Sequence, residues 1–157
     1  HADPSAELPL ALIALEGSVT VASVGGNREI KASDLFTGPV QTSVLDDELI
    51  ISARFPLLKS SDRIGFAEFS YRHRDFAVVS VLVIVRESST IFAFGGIDDT
   101  PVRIEIPGAL AESDLVPQLT TIASRQTVRT DPTASADFRR HLMTRLGQSA
   151  CLQALGQ

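Results

Sequence analysis

Residues 77–96 carry the stretch that decides the fold: Ala77-Val-Val-Ser-Val-Leu-Val-Ile-Val-Arg86, then Glu87-Ser-Ser89, then Thr90-Ile-Phe-Ala-Phe94 and Gly95-Gly96. The first block is an almost unbroken β-branched run. It is too short to span a bilayer, and its Val and Ile content suits a pleated surface, so it reads as a central strand buried on both faces. Glu87-Ser-Ser89 is a tight turn, and Thr90–Phe94 returns antiparallel. Upstream, residues 64–72 alternate, with Phe66, Glu68 and Ser70 in one phase and Ala67, Phe69 and Tyr71 in the other. A three-stranded antiparallel sheet follows. In 101–107, Val102, Ile104 and Ile106 alternate between two prolines, which leaves that segment undecided.

Outward from the sheet, residues 113–127 open with Ser113-Asp114 and carry Leu115, Leu119 and Ile122 at helical spacing. Pro117 then has to lie in the first turn. Residues 134–155 form the strongest helix, with Phe138, Leu142, Leu146, Cys151, Leu152 and Leu155 as its apolar positions. Toward the N-terminus, residues 5–15 read as a helix with Ser5 as N-cap and Pro9 in its first turn. Apolar side chains surround its axis, so it should be buried. A hairpin follows (18–24, a turn at Gly25-Gly26-Asn27, then 28–31), with a helical turn at 33–36 and a strand at 48–55 stopped by Pro56. The chain divides at this point into 1–56 and 57–157. The class is α+β: two small antiparallel sheets, each with helices to one side.

Composition bounds the function. The 157 residues are 44% hydrophobic and 21% charged, which excludes a disordered chain. Fourteen basic against nineteen acidic residues give −5, the wrong balance for a nucleic-acid binder. One cysteine precludes an internal disulfide framework. No apolar run is long enough to span a membrane and no signal peptide is visible, so a cytoplasmic setting is expected. Met143 is the only methionine, and the expectation is a chain from which residues were removed or that starts inside a longer gene product.

Chemistry-bearing clusters are sparse. His1, His73 and His141 form no metal-ligand pattern apart from His1 with Asp3, and no metal site is expected. Cys151 sits on an apolar helix stripe and reads as core. Gly25-Gly26 reads as a turn. Gly95-Gly96 reads as a plain loop, the alternative being a close approach of another backbone. Arg72-His73-Arg74-Asp75 reads as a solvated strand end. Arg139-Arg140-His141 covers most of a helical turn, so at least one of the three must face the body of the protein or a partner. No catalytic residue can be nominated, which argues against a free-standing hydrolase.

Several segments, in order, resemble the FAD-binding subunits of molybdenum hydroxylases of the carbon monoxide dehydrogenase and xanthine dehydrogenase type. His1-Ala-Asp-Pro-Ser-Ala-Glu-Leu-Pro9 resembles their second flavin motif. Ser33-Asp34-Leu35-Phe36-Thr37-Gly38, Asp47-Glu48-Leu49-Ile50 and Arg54-Phe55-Pro56 match later landmarks. So do Phe66-x-Glu68-Phe69-x-Tyr71-Arg72-His73-Arg74-Asp75-Phe76-Ala77 and Gly95-Gly96-x-x-x-Thr100-Pro101-Val102-Arg103. Asp131-Pro-Thr-Ala-Ser-Ala-Asp-Phe-Arg-Arg-His-Leu142 resembles the start of the family's C-terminal helix.

The resemblance implies that 1–56 is the tail of a flavin-binding α+β sub-domain. It implies that 57–157 is the flavoprotein C-terminal domain, a three-stranded antiparallel sheet with about three helices. It implies an oxidoreductase subunit that passes electrons from iron–sulfur centres through FAD to an acceptor, beside a molybdenum-cofactor large subunit and an iron–sulfur small subunit. Three cofactor-binding positions carry over. Glu7 falls where the family commonly has an aspartate near the ribityl chain. Ile50 falls against the isoalloxazine, with ordinary strand core as the equal alternative. Glu68 falls near a frequent lysine and would oppose an anionic flavin. The glycine-rich pyrophosphate cradle does not occur in this sequence, so this chain alone is expected to be inactive and to bind FAD weakly or not at all. It is also expected to self-associate through apolar surface around residues 8–15 and Ile50–Ile51. The competing readings are a cofactor-free binding or subunit-assembly module of the same fold, and a small unrelated α+β enzyme.

Overall fold

The computed structural model describes residues 1–108 and 110–156. In chain order the elements are α1 (Glu7–Ala14), β1 (Ser18–Ser23), β2 (Gly26–Lys31), α2 (Ala32–Leu35), β3 (Phe36–Gly38), β4 (Gln41–Thr42), β5 (Leu49–Arg54), β6 (Arg63–Phe69), β7 (Val79–Val85), β8 (Ser89–Gly95), β9 (Val102–Pro107), α3 (Glu112–Arg125) and α4 (Ala136–Leu155). The α+β class holds. One sheet runs β2-β1-β5, a small ladder pairs β3 with β4, and the larger sheet runs β6-β7-β8-β9, with every pairing antiparallel.

The larger sheet has four strands rather than three. The undecided segment between the prolines is β9, an edge strand. Pro101 precedes it and Pro107 ends it, so neither removes a donor from the middle of the ladder. Among the described residues, α3 and α4 are the helices of the C-terminal part, where about three were expected; the third helix on this sheet is α1. β7 and β8 are buried along almost their whole length, and alternate residues serve opposite faces. Val79, Val81, Val83, Phe92 and Phe94 meet Leu115, Leu119, Leu142 and Met143 of α3 and α4. Leu82, Ile84, Ile91 and Ala93 meet Leu10 and Ala14 of α1. Helices therefore cover both faces of this sheet, correcting the one-sided arrangement. Phe92 and Phe94 are fully buried, each contributing roughly 2–3 kcal/mol of hydrophobic stabilisation.

The all-round apolarity of α1 has the same explanation. Leu10 and Ala14 face the large sheet, whereas Leu12 packs with Val19, Val21, Ile30 and Leu35 on the small one. The helix is a wedge between two sheets. Its start is set by Asp3, not by Ser5: the Ser5 N–H donates to Asp3 Oδ1 (2.8 Å) and the Ala6 N–H to the Asp3 carbonyl (3.1 Å). Pro117 is the sixth residue of α3, beyond the first turn. It lies on the exposed side, where water can solvate the carbonyl that loses its partner. Ser135 caps α4 by accepting from the Phe138 N–H (3.2 Å), and Gly156 ends it in the left-handed conformation.

On α4 the buried stripe is offset from the sequence reading. Phe138 is exposed, whereas Arg139, Met143, Gly147, Ala150 and Ala154 are buried with Leu142 and Cys151. Small residues are needed because α4 lies hard against β6. A Cβ on Gly65 would stand 1.8 Å from the Ala150 carbonyl oxygen and 3.0 Å from the Ala154 nitrogen. Cys151 is core, as expected, and burial raises its thiol pKa to about 11, far from a reactive thiolate.

Candidate functional site

The first sheet and the start of α1 enclose an apolar groove of about 240 Å³ whose walls include Leu8, Leu12, Val19, Phe36, Ile50 and Phe55. Leu12 and Val19 form its buried floor. Leu8 on α1 is 72% exposed, and on β5 Leu49, Ile50 and Ile51 are exposed as well. β5 is an edge strand exposed along its full length. Ile50 is thus not strand core; it stands on an open wall. A second cavity, of about 450 Å³, shares Ala2, Thr42 and Ile50 with the groove and adds His1, Val44 and Glu48.

The loop leading into β5 is pinned by charge. The Arg28 guanidinium donates through Nε to Glu48 Oε1 (2.5 Å), and through its Nη2 group to Glu48 Oε2 (2.7 Å) and the Ser43 carbonyl (3.0 Å). The Leu45 N–H also donates to Glu48 Oε2 (2.8 Å). The Arg28 guanidinium first, and the Leu45 amide second, lower the Glu48 pKa to about 2. A carboxylate with a depressed folded-state pKa gives stability that is present above its ordinary value and lost as pH falls through the folded value. The 39–48 loop should therefore stay ordered well below pH 4. A carboxyl-carbon NMR titration is expected to place the Glu48 midpoint near 2, and Glu48→Gln should loosen the loop at neutral pH. A midpoint in the ordinary range would contradict the clamp.

The three carried-over positions divide. Glu7 is exposed in the first turn of α1, directly before groove residue Leu8. Ile50 is on the groove wall itself. Glu68 lies outside it, exposed on edge strand β6 and paired with Ser80. Its neighbours on that face, Ile64 and Phe66, are also exposed, because α1 covers β7 and β8 but stops short of β6. Ser80 is close to Pro4 and Leu10: a Cβ on Gly95 would meet Ser80 Oγ at 2.5 Å, the Pro4 carbonyl oxygen at 3.2 Å and Leu10 Cδ1 at 3.8 Å. Glu68 thus lies one strand out from Ser80 and is not brought to the groove, whereas Glu7 adjoins it.

That contact corrects the loop reading of Gly95-Gly96. Another backbone does come close: the Gly96 N–H donates to the Pro4 carbonyl (2.7 Å), and Gly96 has a φ of 76°. The sequence does not say which of Arg139, Arg140 and His141 turns inward; in the fold it is Arg139. It is 1% exposed, and its Nη1 group donates to the carbonyls of Val78 (2.6 Å) and Gly96 (2.7 Å) while Nη2 donates to Asp131 Oδ2 (2.6 Å). Its signal was the requirement that one of Arg139-Arg140-His141 point inward.

An apolar wall with an acidic flank suits a flat ring carrying a hydroxylated chain. A diphosphate is less well served. The Gly96 N–H goes to Pro4, the Gly25 N–H to Ser23 Oγ (3.2 Å), and Gly26 is paired in the hairpin. Residues 1–58 match the family model of the FAD binding domain in molybdopterin dehydrogenase, and nearly the whole chain is similar to part of an FAD-binding medium subunit of molybdenum hydroxylases. It is 33% identical, over 98% of its length and 58% of the relative's, to the nicotine 6-hydroxylase medium subunit of Paenarthrobacter nicotinovorans. Among solved structures, quinoline 2-oxidoreductase from Pseudomonas putida 86 superposes with a TM-score of 0.89 at 22% identity. Carbon monoxide dehydrogenase from Hydrogenophaga pseudoflava does so at 0.89 and 18%. Each superposition covers 99% of this chain and 58% of the other. The chain thus spans a little over half the length of the proteins it matches.

Proposed function

We propose that this polypeptide supplies one wall of the flavin site in the electron-transfer subunit of a molybdenum-containing hydroxylase or dehydrogenase. Bound there, FAD would carry electrons from iron–sulfur centres to an acceptor. The partners are a molybdenum-cofactor large subunit and an iron–sulfur small subunit, in a cytoplasmic setting. The observation that carries the reading is the open apolar wall formed by Leu8, Ile50 and Phe55, within a segment that matches an FAD-binding domain. Residues 1–56 form the flavin-binding part and 57–157 the C-terminal domain, a division supported by the family match ending at residue 58.

The residue roles belong to the same proposal. Glu7 accepts a hydrogen bond from a ribityl hydroxyl, Ile50 packs on the ring, and Glu68 disfavours negative charge on it. In a polypeptide of the relatives' full length, FAD is expected to co-purify, and Ile50→Glu should weaken it about tenfold or more by placing a charge on the apolar wall. A full-length polypeptide that purifies colourless and shows no saturable FAD binding would overturn the reading. This chain alone should bind FAD weakly or not at all, because its paired-glycine amides are already engaged. It should also self-associate through Leu8, Leu49, Ile50 and Ile51. Sedimentation should show mass rising with concentration, and Leu8→Ser with Ile50→Ser should suppress it; a monomer throughout would refute self-association.

A further inference from the structure

We infer that Arg139 is a positioning residue for the flavin wall, acting from the last helix through Gly96 and Pro4. The inference rests on the function proposed above. The Arg139 Nη1 group bridges two carbonyls from different elements, Val78 just before β7 and Gly96 just after β8. Asp131 fixes the other arm of the guanidinium. Asp131 is itself held by the N–H groups of Thr133 (2.9 Å) and Ala134 (3.0 Å), so the anchor is rigid. With its carbonyl fixed, the left-handed Gly96 presents its N–H to Pro4. Pro4 sits in the turn, closed by Asp3, that leads into α1. On either side of that turn lie Ala2 and Leu8, both lining the groove, with Glu7 beside Leu8. Ser5 and Arg139 also line one cavity of about 200 Å³. Only a planar, forked donor can hold both carbonyls and the carboxylate together. Lysine keeps the charge but loses the fork.

The test uses a polypeptide of the relatives' full length. Arg139→Lys is expected to raise the FAD dissociation constant about tenfold, read by flavin fluorescence, and to speed amide exchange at Gly96 by a similar factor. Asp131→Asn keeps the acceptor for the Thr133 and Ala134 amides but loosens the Arg139 arm; about threefold is expected in both readouts. If Arg139→Lys does not fold, Asp131→Asn decides. Leu142→Ala, a core truncation in the same helix, is the control: it should lower stability with FAD affinity unchanged. An FAD affinity within twofold of wild type in Arg139→Lys, or unchanged Gly96 exchange, would overturn the inference. So would an equal FAD loss in Leu142→Ala. If the wild-type polypeptide binds no FAD, the proposed function falls, and Gly96 exchange alone decides whether Arg139 holds the turn.

Discussion

Gly65→Ala is expected to destabilise the protein by about 3 kcal/mol, and Gly65→Val by more, the upper end of what overpacking produces. The reason is backbone against backbone. The new Cβ would lie 1.8 Å from the Ala150 carbonyl oxygen, and no side-chain rotation relieves that. Helix α4 would have to lift from β6, opening the contacts made by Ala150, Cys151 and Ala154. In thermal unfolding the loss should appear as a fall in Tm of roughly 6–12 °C. A change near zero would mean that the helix can slide without loss, and that the small-residue stripe is not what seats it.

Arg139→Met should cost about 3–5 kcal/mol, for a different reason. Met fills much of the space but offers no donor. The Val78 and Gly96 carbonyls lose the guanidinium that satisfies them, each at about 1–3 kcal/mol if left unpaired. The Asp131 side chain is 28% exposed and can be solvated where it stands, so the ion pair is the smaller share. Asp131→Asn should therefore cost only about 1 kcal/mol. Denaturant unfolding of both variants separates the two contributions. Equal losses would show that the ion pair, rather than the two carbonyls, dominates.

Much of this was legible in the sequence because it depends on local pattern. The β-branched run, its turn and the returning Phe92–Phe94 strand are recoverable from period and turn chemistry. The buried Cys151 and the helix over 134–155 follow from spacing. The misreadings were positions that lack a local signature. The phase of α4 differs by one position because Phe138 and Leu146 outrank Ala150 and Gly147 in hydrophobicity, while the packing selects Ala150 against Gly65 and Gly147 against Leu119 of α3. Ser5 reads as the cap because it precedes the helix, yet Asp3 supplies the acceptors. Ile50 could not be assigned to core or wall, because its exposure depends on what lies across β5.

By itself, the sequence determined most of the strands and helices, though not β3, β4 or β9, and that the strand at 79–85 is buried on both faces, since period and apolar content are properties of consecutive residues. It also carried the family resemblance, because motif order survives in the chain. Only the tertiary structure decided what covers the second face: α1, sixty-odd residues upstream, splitting its apolar surface between two sheets. It likewise decided that, of Arg139, Arg140 and His141, it is Arg139 that goes inward, to two carbonyls and a carboxylate drawn from widely separated positions. Such partners meet only in three dimensions, where each buried polar group must find a donor or acceptor.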